Sequence, residues 1–160
     1  MKRRAKIGLV VLGVVGVSLW SVYRETHGVG VDSVSWLPKE AHNITYVKND
    51  TNVRAEFDIE QDAFEKWCEK RGWPLRELAE GEFFTVVRCL LFLERKGIIP
   101  PLAPSQDANS IEADLAAMER FSKTFDAGDL VFEERWNNNG GYSIGYDVDA
   151  GRGYYAYSSH

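Results

Sequence analysis

From Ile7 to Tyr23 the chain runs through 17 residues without a charge, preceded by Lys2, Arg3, Arg4 and Lys6 and stopped by Arg24 and Glu25. A helix over this run is roughly 25 Å long at about 1.5 Å per residue, the short end for a bilayer core and sufficient once Trp20 and Tyr23 sit among headgroups. Basic residues concentrate on its amino-terminal side. That asymmetry predicts a single-pass signal anchor in the cytoplasmic membrane, with the amino terminus inside and the remainder outside. The competing expectation is a cleaved secretory signal with Gly16-Val17-Ser18 as its cleavage box, which would leave a secreted or periplasmic protein. The apolar run continues past that box to Val22, which favours the anchor. A buried core helix is disfavoured because the run is apolar on every face and has basic flanks. No Cys follows closely, so lipoprotein processing has no acceptor.

The expected organisation is therefore a membrane segment over residues 1–27, a tether over 28–35 and one extracytoplasmic domain over 36–160. The chain's 160 residues, 44% hydrophobic and 27% charged, suit one globular domain of that size. Five of the 19 basic residues and one of the 24 acidic ones fall in residues 1–27, leaving residues 28–160 at a net −9. Such a body repels phosphate backbones, so nucleic acid is not an expected partner.

Within the domain, Val53, Ala55, Phe57 and Ile59 alternate with Arg54, Glu56 and Asp58, the pattern of a half-buried strand. Ile44–Val47 reads as a second strand, separated from it by the turn formers Lys48 to Asn52. Phe64, Trp67, Cys68 and Arg71 share one face of a helix over Glu60–Arg71, stopped by Gly72. Phe83–Leu93 reads as a buried strand, and Ser110–Lys123 as a second amphipathic helix. From Leu130 onward the pattern becomes a three-strand meander: Leu130–Trp136, Tyr142–Val148 and Gly153–Tyr157, joined by Asn- and Gly-rich turns. The predicted fold class is α+β: an antiparallel sheet with about two helices on one face, closing in the meander. A doubly wound nucleotide fold is not expected.

The chemistry-bearing residues are few. Cys68 and Cys89, the only cysteines, are a candidate disulfide; it would close a loop of about 22 residues and stabilise by roughly 3 kcal/mol. The alternative is two separate buried thiols. Asp147-Val148-Asp149-Ala150-Gly151 opens like a calcium loop, but its twelfth position is Ser158 and not Glu, so a hairpin turn is the simpler reading. No cofactor motif and no His- or Cys-rich metal pattern stands out. The final third is dense in aromatic residues, and Trp136, Tyr154, Tyr155 and Tyr157 are the candidate binding surface for a protein, peptide or glycan partner. The expected function is a membrane-anchored, extracytoplasmic binding or interaction module. The alternative is a small cell-envelope hydrolase built on carboxylates, for which no catalytic pair is apparent.

Overall fold

The computed structural model describes residues 25–100 and 120–159. The first three strands, β1 (Thr26–Val31), β2 (His42–Lys48) and β3 (Asn52–Asp58), form an antiparallel meander. A second meander closes the chain: β7 (Leu130–Arg135), β8 (Gly141–Asp147) and β9 (Arg152–Ser158), with the two-residue β4 (Arg76–Glu77) on its outer edge. β3 and β9 pair along their whole length, Asn52 opposite Ser158 through to Asp58 opposite Arg152. The result is one seven-stranded sheet in the order β1-β2-β3-β9-β8-β7-β4.

Because side chains alternate along a strand, this pairing builds two different faces. Phe57, Ala55, Tyr155, Ile144 and Tyr146 share one face, which the helix α1 (Gln61–Glu69) covers with Phe64, Trp67 and Cys68. The spacing that marked this helix in the sequence is thus the spacing that docks it: Phe64 packs 4.9 Å from Tyr146, and Trp67 5.8 Å from Tyr155. At its end Gly72, at φ +71°, lets the Gly72 and Trp73 N–H groups bond back to the Glu69 and Cys68 carbonyls. This closing motif throws Trp73 back onto Trp67, ring centroids 5.3 Å apart.

The opposite face carries Val47, Glu56, Tyr154, Ala156 and Val131. It is roofed by a two-stranded sheet, β5 (Phe84–Val87) with β6 (Ser122–Phe125), and by the helix α2 (Leu90–Arg95). Phe125 lies directly over Gly145, where an added Cβ would fall within its ring, so glycine at that position is a packing requirement. Glu56 is 2% exposed on this face. Its carboxylate accepts both Arg88 Nε (3.1 Å) and Nη2 (2.7 Å), and the Cys89 thiol at 3.2 Å. One ion pair thereby fixes the upper layer to β3 of the large sheet.

Four expectations are corrected. The fold is mostly β and not α+β: among the described residues there are two short helices, and they lie on opposite faces of the large sheet. Phe83–Leu93, read as one buried strand, divides into β5 and α2, because Phe84 and Val86 turn inward with strand alternation while Cys89 and Leu93 recur at helical spacing. The second amphipathic helix falls mostly on residues outside those described; Ser122 and Lys123, assigned to it, belong to β6. Finally, no helix among the described residues is long and apolar enough to cross a membrane. The nine residues of α1 rise only about 14 Å against a hydrocarbon core of about 30 Å. The signal-anchor run Ile7–Tyr23 lies outside the described residues, and the single-pass, extracytoplasmic placement is withdrawn.

Glu56 gives the fold a measurable weak point. Replacing it with Ala should cost about 3 kcal/mol, the low end for breaking a buried pair, because the Arg88 side chain keeps 24% exposure. The double change Glu56→Leu with Arg88→Met should recover most of that loss, since two apolar groups leave no unpaired charge. Urea unfolding of the protein and the two variants checks this, and a single-variant loss below about 1 kcal/mol would remove the pair from its structural role.

Candidate functional site

The seven-stranded sheet has one end that α1 does not reach. There Val53, Tyr157 and Tyr142 stand side by side on β3, β9 and β8, and Tyr155 lies one row further in. The loop between β1 and β2 brings Trp36 across from the other side, its ring 6.0 Å from Tyr155. Arg71, just beyond α1, holds that loop by donating to the Trp36 carbonyl at 2.9 Å, while its guanidinium lies about 5 Å from the Trp67 and Trp73 rings. The β2–β3 turn supplies Lys48, Asn49 and Asp50; Asn49 Oδ1 accepts the Thr51 and Asn52 N–H groups, which fixes the turn. Trp36, Val53, the three tyrosines and the turn residues Lys48 to Asp50, together with Thr26, line a cleft of about 680 Å³.

The rings form a continuous set. Tyr142 is 5.1 Å from Tyr157 and 6.4 Å from Tyr155, and Trp136 stands edge-on to both Tyr142 (5.6 Å) and Tyr157 (5.9 Å). Trp136 is oriented by its indole N–H, which donates to Glu134 Oε1 at 3.0 Å. Burial, and after it the neighbouring phenols, push the Tyr155 and Tyr142 hydroxyls above their ordinary range, with Arg71 pulling weakly the other way. Both therefore stay neutral donors and acceptors at any physiological pH.

Of the four aromatic residues singled out from sequence, Trp136, Tyr155 and Tyr157 come together on this face. Tyr154 goes to the other face, 5.3 Å from Phe125 and 5% exposed, its phenol pushed up to about 12 by burial and by Glu56. Adjacent tyrosines did point to opposite sides, but both sides of this sheet are covered. Trp36, Lys48 and Tyr142 were not in the sequence-derived set. Tyr142 was legible only through its register with Tyr157, and Trp36 through a loop closure that leaves no periodic signal.

Cys68 and Cys89 are free, buried thiols. The disulfide suggested by compartment and spacing is not formed, because Cys68 packs under α1 on one face and Cys89 under α2 on the other, with the sheet between them. Burial pushes Cys68 up to about 12 and raises Cys89 as well, so neither is a nucleophile.

The acidic candidates are occupied. Glu56 and Asp58 both face Arg152, and Asp58 also accepts from Asn43 at 2.8 Å. Asp147, the first residue of the calcium-like stretch, pairs with Lys123 and accepts the Ala150 N–H at 2.9 Å, which makes the stretch a hairpin turn with Gly151 at φ +63°. A larger open cleft, about 950 Å³, is lined by Asp62, Glu65, Lys66 and Glu69 of α1 together with Trp73, Pro74, Leu75 and Leu130. Its acids sit at i, i+3 and i+7 on the exposed helix face, the ordinary pattern of a solvated surface.

Two measurements follow. Ellman's reagent should find no reactive thiol in the native protein and two after denaturation without reductant; a denatured count of zero would restore the disulfide. Burial alone would raise the Asp147 carboxyl, but Lys123 and the N–H groups of Ala150 and Asp149 outweigh it and hold it low. Its contribution to stability is thus complete above the unfolded value near about 4 and disappears as pH falls through the lower folded value. The stability gap between the protein and Lys123→Met should accordingly be large at neutral pH and shrink as pH falls below about 4; a gap independent of pH would place the effect in the Lys123–Phe125 contact instead. Comparison with protein-family models, with curated proteins and with solved structures gives no match to this chain, so the aromatic cleft is identified by its own geometry.

Proposed function

We propose that this chain is a binding module that engages its ligand through the aromatic cleft at the uncovered end of the sheet. The observation that carries the reading is the convergence of Trp36, Tyr142, Tyr155 and Tyr157, from a loop and two strands, on one cavity of about 680 Å³. Concave, ring-lined sites with a few polar groups at the rim are the usual form of small-ligand and segment recognition. Rings of this size also give large contact area at low entropic cost. A carboxylate-based hydrolase draws less support, since Asp50 is the one acid among the described lining residues and such chemistry uses two.

The cleft can be tested without knowing its ligand. Uncharged ring-bearing fragments, such as phenol, cyclohexanol and methyl glucoside, should perturb the NMR signals of the Trp36 indole and of Tyr142, Tyr155 and Tyr157. Perturbations confined to Glu65, Leu75 and Leu130 would move the site to the open cleft beside α1, and none at either place would end the binding-module reading.

A further inference from the structure

The chemistry of the cleft narrows what it can hold. Tyr155 is 9% exposed and lines the cleft. Its counterpart on the same face, Tyr146, is satisfied at 2.9 Å by the Ile59 carbonyl. Tyr155 lines the cleft, and its hydroxyl is not among the sealed, unpartnered polar side-chain atoms of the described residues, which are Arg54 Nε and Trp67 Nε1. A polar tip on an otherwise buried ring, presented to a cavity, asks for a hydroxyl or amide from a ligand.

The remaining lining selects among ligand classes. Val53 is the one aliphatic side chain among the described lining residues, whereas four of them are aromatic, a lining that suits flat rings better than aliphatic peptide anchors. Lys48 holds its ammonium 5.5 Å from the Trp36 ring centre, which disfavours a cationic ligand over the same ring. Lys48 and Asp50 cancel in charge at the rim, and the surrounding body, at a net −9 over residues 28–160, repels an anionic ligand.

Resting on the reading of the cleft as the binding site, we infer that it takes a neutral oligosaccharide, with sugar rings stacked on Tyr142 and Tyr157 and a sugar hydroxyl bonded to the Tyr155 phenol. The amphipathic sugar ring matches both halves of the lining, an apolar face for the rings and hydroxyls for Tyr155, Thr26 and Asn49.

The experiment is calorimetric titration of the full-length protein with cellohexaose, maltohexaose, mannohexaose and chitohexaose, followed by Trp fluorescence. At least one should bind saturably with Kd below about 1 mM. Tyr155→Phe keeps the buried ring and removes only the hydroxyl, and should weaken that binding about three- to tenfold with the melting temperature unchanged. Tyr157→Ala should weaken it about tenfold or more, and Tyr154→Phe, on the other face, should leave it as it was. Binding that is indifferent to both Tyr155→Phe and Tyr157→Ala overturns the proposal, as does failure of all four hexasaccharides to bind. In the latter case fragments that still perturb Trp36 and Tyr142 keep the cleft and reject only the ligand class. Enrichment of displayed dodecapeptides that lose affinity in Tyr157→Ala would then assign the cleft to a peptide.

Discussion

The pairing of β3 with β9 holds the molecule together. It joins two meanders that are each local in sequence, and its seven residue pairs bring Asn52–Asp58 against Arg152–Ser158, about a hundred positions along the chain. Every feature with chemical interest is positioned by this seam. On one side it sets Tyr155 against Ala55 and Tyr157 against Val53, beneath Trp36 and Trp67. On the other it sets Tyr154 against Glu56, beneath Phe125 and Arg88. A slip of one residue would exchange the two sets and put Glu56 among the aromatic rings.

The seam also explains which parts of the fold were legible in the sequence. Alternation in 53–59 and in the closing meander was readable because each strand's pattern is local, and α1 was readable because Phe64, Trp67 and Cys68 recur at helical spacing. The partner of each strand was not. The expectation of helices on one face assumed that the sheet had a water-facing side, as polar residues such as Arg54, Glu56 and Asp58 suggested. In the structure Glu56 is buried by pairing with Arg88, and the polar side of that strand becomes a second interior. A charged residue in an alternating strand reads as solvent-facing unless its partner is known, and Arg88 lies 32 positions away.

The same limit governed the candidate site. Sequence density pointed to the aromatic residues of the last third, and three of the four chosen lie on one face. Tyr142 was hidden by the need to know the β8–β9 register, and Trp36 by a loop whose position depends on the Arg71 bond to its carbonyl. The cysteines misled for a related reason. Twenty-odd residues is a suitable loop for a bridge, but spacing along the chain carries no information about which face of a sheet each residue ends on.

Why aromatic rings remain half-open at one end follows from element lengths. Strands β2, β3, β8 and β9 have seven residues each, about 23 Å, whereas α1 has nine and spans about 14 Å. A helix that short leaves part of the sheet face without a roof, and its anchoring contacts with Phe57, Tyr146 and Tyr155 commit it to the other end. Trp73, thrown back by the helix-ending Gly72, extends the cover over Tyr155 and Tyr142 but stops short of Tyr157. Aliphatic residues at the uncovered positions would be exposed at a cost with no compensating contact, whereas tyrosines can bury a ring edge against one another and keep the phenol wet. The cleft is therefore what remains when a two-layer cover is too short for its sheet, and its tyrosine lining is the side-chain type that tolerates being left open.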